Sequence, residues 1–112
     1  MIIYHNPRCS KSRQTLNLIK EKGFQIEVKE YLKETLSYSE LKEVIIKLGI
    51  RPYELLRKGE ADFKENFKGK DLSDDEWIQA MLDYPKMIER PIVVKDKKAV
   101  LGRPPENVLE FL

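Results

Sequence analysis

Residues 1–32 read MIIYHNPRCSKSRQTLNLIKEKGFQIEVKEYL. The first five, MIIYH, are apolar and β-prone and predict a short buried strand. Asn6-Pro7 breaks that pattern. From about Ser10 to Lys22 good helix formers dominate, Leu16 and Ile19 supply an apolar face, and Gly23 is a natural stop. IEVKEYL at 26–32 alternates again and predicts a second strand. Strand, helix and strand in about thirty residues make a βαβ unit. Its two strands are therefore expected to run parallel, joined by a right-handed crossover.

The pattern beyond this unit changes twice. Ser37 and Glu40 have capping-box spacing, followed by Leu41, Val44, Ile45 and Leu48 on one helix face and Gly49 at its end. Pro52 suits the first turn of a short helix carrying Leu55 and Leu56. Ser73 and Glu76 repeat the capping-box spacing ahead of Trp77, Ile78, Met81 and Leu82, and Pro85 closes that helix. Strand signals then return in PIVV (91–94) and AVLG (99–102), flanking the polar turn KDKK, and read as an antiparallel hairpin. Pro104-Pro105 opens a last helix, ENVLEFL. The order β-α-β, helical segment, β-β-α is that of an α/β thioredoxin-like fold. It predicts a four-stranded mixed sheet flanked by helices, with a helical insert at roughly 37–85 between strands two and three. The whole chain, 1–112, is expected to be a single domain.

Composition narrows the function. The 112 residues are 41% hydrophobic and 36% charged, which suits one globular domain and argues against disorder. Twenty-one basic against 19 acidic residues leave a net charge of +2, so no global nucleic-acid footprint is expected. No signal peptide or bilayer-length apolar run is evident, and a cytoplasmic protein that does not engage membranes is the expectation. One cysteine and one histidine allow neither an internal disulfide nor a cysteine–histidine metal cluster.

That cysteine, Cys9, lies in HNPRCSKSR (5–13), at the junction of strand one and helix one. Unpaired N–H groups and the positive end of the helix dipole favour a thiolate there. Arg8, Lys11 and Arg13 are expected to add to that field, with no acidic residue nearby to oppose it. The same N–H groups can cradle an oxyanion. A small apolar thiol in the core is the alternative, but a loop of Asn, Pro and Arg is a poor core context. Cys9-Ser10-Lys11-Ser12 is a C-x-x-S motif, lacking the second thiol of a redox pair. Ser12 is expected either to donate a hydrogen bond to the thiolate or to serve as an ordinary first-turn residue.

HNPRCSKSR, LLRK (55–58), ERPIVV (89–94) and GRPPE (102–106) together resemble the arsenate reductase (ArsC) family, the glutaredoxin-linked kind on a thioredoxin-like fold. The resemblance runs in order along essentially the whole chain. It implies that Cys9 is the nucleophile attacking arsenate or a related oxyanion. It also implies that Arg57, Arg90 and Arg103 hold that oxyanion and that His5 lies beneath the thiolate. Guanidinium groups suit the task, because their planar forks bind oxyanions bidentately. The resemblance further implies a cis proline at Pro91, placing Arg90 beside Cys9. Glutathione enters as co-substrate and glutaredoxin as partner, with no resident cofactor. Arg8 and Ser10-Lys11 stand where arsenate reductases carry smaller, less charged residues, which changes the mouth of the pocket. Two other readings stay open at this point. One is an Spx-type transcriptional regulator that binds RNA polymerase. The other is a C-x-x-S glutathione-dependent thiol-disulfide enzyme.

Overall fold

The computed structural model describes residues 1–112. They form two compact units, one made of 1–34 with 90–112 and the other of 35–89.

The first unit holds the sheet. Strands β1 (Ile2–Tyr4), β2 (Glu27–Lys29), β3 (Ile92–Lys95) and β4 (Lys98–Leu101) lie in the order β2-β1-β3-β4. β1 runs parallel to β2, with Ile3 opposite Val28, and antiparallel to β3, with Ile3 opposite Val93. The sheet is therefore mixed, as the element order requires. Helix α1 (Ser10–Glu21) follows β1, and Gly23 takes the left-handed conformation (φ 82°) that ends it. Ile3, Ile19, Val93 and Val108 are fully buried and form the core between sheet and helices. β2 is shorter than the 26–32 expected. It is an edge strand with Glu27 and Val28 exposed, so only its partner-facing side is specified.

The hairpin turn is also tighter than KDKK suggests. Lys95 pairs with Lys98, leaving two turn residues, and Asp96 takes positive φ (56°) as two-residue hairpins demand. The last segment, Pro105–Glu110, is a 3-10 helix and not an α-helix. Pro104 and Pro105 remove two N–H donors at its start, and Asn107 Nδ2 binds the Leu101 and Arg103 carbonyls at 3.3 and 3.1 Å.

The second unit is helical. α2 (Tyr38–Leu48) starts at Ser37, whose Oγ accepts the Glu40 N–H at 3.1 Å, and ends at left-handed Gly49. A 3-10 turn spans Pro52–Leu55. α3 (Ala61–Asn66) has no counterpart in the sequence reading. α4 (Asp74–Asp83) carries a full capping box, Ser73 Oγ to the Glu76 N–H and Glu76 Oε1 to the Ser73 N–H. Trp77 centres the packing: the Tyr53, Phe63 and Phe67 rings surround it at 5.5–6.2 Å. No helix of the chain is long and apolar enough to cross a membrane.

Candidate active site around Cys9

Asn6 builds the loop that presents the thiol. Its side-chain oxygen accepts the Arg8 N–H at 3.0 Å and its carbonyl accepts the Cys9 N–H at 3.0 Å. Both bonds curl the chain just before α1, the local behaviour expected of Asn in a turn. Cys9 becomes the N-cap, with extended backbone (φ −94°, ψ 122°), and its carbonyl accepts the Arg13 N–H. No acidic residue stands in the first turn of α1 to oppose a thiolate.

Cys9 is half-buried, and burial by itself pushes its pKa up. The opposing groups win. In order they are the Ser12 N–H, a hydrogen bond from the Arg90 guanidinium, the Lys11 N–H and the charge of Arg90, and together they hold the thiol below its ordinary value. The sulfur closes no regular capping hydrogen bond, so the two N–H groups act chiefly through their partial charge. The cationic help comes from Arg90 and not from the flanking Arg8, Lys11 and Arg13 side chains expected to supply it. Arg13 Nη1 is committed to the Pro7 carbonyl at 2.9 Å, and Arg8 and Lys11 are exposed. Side chains adjacent in sequence to an N-cap project outward into water, where their field is screened.

Arg103 completes the arrangement. Its Nη1 lies 3.8 Å from Cys9 Sγ and donates to the Arg90 carbonyl at 3.2 Å. The β3–β4 register explains why two arginines so far apart meet. Ile92 pairs with Leu101, the Gly102 N–H then binds the Pro91 carbonyl at 3.0 Å, and one step further outward Arg90 stands opposite Arg103. Each arginine precedes a cis proline, Pro91 as the resemblance implied and Pro104 in addition. The hairpin expected from PIVV and AVLG, with Val94 opposite Ala99, already sets 90 opposite 103 without reference to any family.

Behind the thiol lies a buried polar cluster. His5 Nδ1 and Ser12 Oγ are 2.6 Å apart, and Ser12 Oγ also accepts the Asn6 N–H at 3.1 Å. A hydroxyl has a second lone pair and a proton of its own, so it pairs with Nδ1 of the imidazole in either tautomer. Burial lowers the His5 pKa, and Lys20 and Arg13 add to this against the upward pull of Glu30. The Ser12 hydroxyl thus faces inward, and the group it turns toward the sulfur is its main-chain N–H. His5 touches the site through Ser12.

Arg57 belongs to the second unit. Its N–H donates to the Met87 carbonyl at 2.7 Å, and its guanidinium lies 3.7 Å from the Glu89 carboxylate. Leu56 and Ile88 form an isolated bridge between these two segments.

A partly exposed thiol of lowered pKa, set among cationic groups at a helix N-terminus, can as its thiolate attack an electrophilic oxyanion or exchange with a disulfide. Comparison with known proteins agrees with this chemistry. Residues 4–111 match the ArsC family. The chain is 51% identical to the uncharacterized protein YfgD of Escherichia coli (strain K12), across 98% of this chain and 94% of that protein. It is 45% identical to an arsenate reductase of Haemophilus influenzae, across 100% of this chain and 98% of the relative. The solved arsenate reductase from Vibrio cholerae superposes with a TM-score of 0.94 at 47% identity, covering 99% of this chain and 96% of that one. With a family match over nearly every residue and relatives of the same length, the chain belongs to the ArsC family.

Proposed function

We propose that the protein is an oxidoreductase that reduces arsenate, or a closely related oxyanion, to arsenite through an adduct on Cys9. The observation that carries this reading is the cradle at the sulfur, in which the Ser12 and Lys11 N–H groups, Arg90 and Arg103 converge on one atom. Such a cradle lowers the thiol pKa and presents donors to a doubly charged substrate. The Cys9 thiolate forms a bond to arsenic as an arsenate oxygen leaves as water. Two electrons are then needed, which means two thiols converted to one disulfide. The chain has one thiol, so the second comes from outside. Glutathione is the donor: its thiolate attacks the Cys9 sulfur, the sulfur–arsenic bond breaks with its electron pair passing to arsenic, and arsenite departs. Glutaredoxin then resolves the Cys9–glutathione disulfide. This chemistry suits a reducing, cytoplasmic compartment.

Cys9 is the nucleophile in this reading, with Arg90 and Arg103 binding the oxyanion. Arg57 is the third oxyanion arginine, a role that rests on the LLRK motif. His5 and the Ser12 hydroxyl support the thiolate by fixing the Ser12 N–H. Arsenite formation from arsenate with glutathione and glutaredoxin supplied is the test. It should be lost in Cys9→Ser, and a Cys9–glutathione adduct should accumulate when glutaredoxin is withheld. Turnover without any external thiol would refute the scheme.

A further inference from the structure

Arg103 has an exposed side chain, yet its guanidinium is held at a defined place, 3.8 Å from the Cys9 sulfur. Exposed arginines ordinarily sample many rotamers, so something must fix the backbone from which this one starts. Gly102, immediately before it, is buried. A Cβ built there would stand 2.5 Å from Thr15 Oγ1, 2.8 Å from Thr15 Cγ2 and 2.8 Å from Pro91 Cγ. None of these atoms is the free end of a flexible side chain. Thr15 is fully buried on α1, and its hydroxyl proton is shared between the Lys11 carbonyl at 2.8 Å and the Gly102 carbonyl at 3.2 Å.

We propose that this contact, the end of β4 pressed against α1 at Thr15 and Gly102, is the positioning element that sets Arg103 at the thiolate. Gly102 permits the approach because it has no side chain, and the Thr15 hydroxyl holds it. Gly102, whose carbonyl takes one branch of the Thr15 hydrogen bond, leads directly into Arg103. Asn107 Nδ2 holds the Arg103 carbonyl from the far side at 3.1 Å, so the backbone of Arg103 is fixed at both ends. Thr15 and Gly102 are positioning residues, since neither touches the sulfur. The inference rests on the reading of the Cys9 pocket as an oxyanion site.

The test is protection of Cys9 from iodoacetamide by inorganic phosphate, which reports the anion pocket without requiring turnover. Thr15→Val keeps the shape of the side chain and removes the hydroxyl. Losing one hydrogen bond of ordinary strength should raise the phosphate concentration for half-protection about three- to tenfold, and Thr15→Ser, which retains the hydroxyl, should stay near the parent value. The decisive comparison is a double-mutant cycle with Arg103→Ala. If Thr15 acts through Arg103, Thr15→Val adds nothing once Arg103 is gone. A general packing role would instead give additive losses, and either additivity or an unchanged Thr15→Val overturns the proposal. Should Thr15→Val fail to fold, Thr15→Ala carries the same cycle. Absence of phosphate protection in the parent protein would refute the oxyanion reading itself, and this inference with it.

Discussion

Replacing Ser12 by Ala should destabilise the protein far more than removing one hydroxyl from a helix usually does. Ser12 is fully buried, and its Oγ serves two buried partners, His5 Nδ1 at 2.6 Å and the Asn6 N–H at 3.1 Å. Alanine has excellent helix propensity, so the helix itself gains slightly. The loss lies in what is left behind: a ring nitrogen and a main-chain N–H, both desolvated and both unpaired. Each such orphan costs roughly 1–3 kcal/mol, and allowing for local relaxation the pair should cost about 2–4 kcal/mol. For a chain of this size each kcal/mol moves Tm by about 4 °C, which gives a fall of about 8–16 °C. Urea titration of the parent and Ser12→Ala proteins measures the difference directly. Ser10→Ala, two residues away and exposed, is the control and should stay within about 0.5 kcal/mol of the parent. The same substitution should move the midpoint of Cys9 alkylation to higher pH, since the Ser12 N–H is the leading group holding that thiol down. A Ser12→Ala protein as stable as the Ser10→Ala control would show that the cluster holds nothing together.

His5 should make stability pH-dependent. Its folded pKa lies below 6.5, so the unfolded chain takes up the proton first, and stability present above 6.5 is lost as pH falls toward the folded value; His5→Gln should flatten that part of the urea-midpoint profile. Alkylation of Cys9 should show its inflection below the unperturbed thiol value of about 8.5, and Arg90→Gln should shift it upward. Arg103→Lys should lower kcat/KM for arsenate about tenfold or more, charge being retained while the fork is lost. Arg51→Ala, which breaks only an exposed 3.1 Å pair with Asp74, should leave kcat/KM unchanged and cost at most about 1 kcal/mol of stability.

Local periodicity made much of the fold legible. Strand, helix and strand over 1–32 and the two Ser–Glu caps are patterns within a few residues, and all of them form. What escaped is short or non-local. Helix α3 spans only Ala61–Asn66 and buries one apolar side chain, Phe63, too little for a helical repeat to register. The final segment has helical composition, but its two prolines and the Asn107 bonds draw it into a 3-10 turn. At the site, sequence proximity misled: the charged neighbours of Cys9 face water, while its partners Arg90 and Arg103 are brought in by hairpin register. Thr15 and Gly102 gave no sign of themselves, because a close approach between a helix and a strand end is a property of packing and not of either segment alone.

The sheet carries a consequence for biosynthesis. β1 is made long before its antiparallel neighbour β3, and Ile3 must wait for Val93. Throughout that interval the nascent chain carries an inner strand that can pair on its β2 side alone, and a cysteine lacking Arg90 and Arg103. Pairings this distant in sequence form late, and exposed strand edges are what chaperones bind. A prematurely terminated product that stops before residue 90 would hold Cys9 without the guanidinium groups that tune it. The guanidinium part of the sulfur's surroundings is thereby added only after the β3–β4 hairpin has formed, while the Ser12 and Lys11 N–H groups are in place from the start.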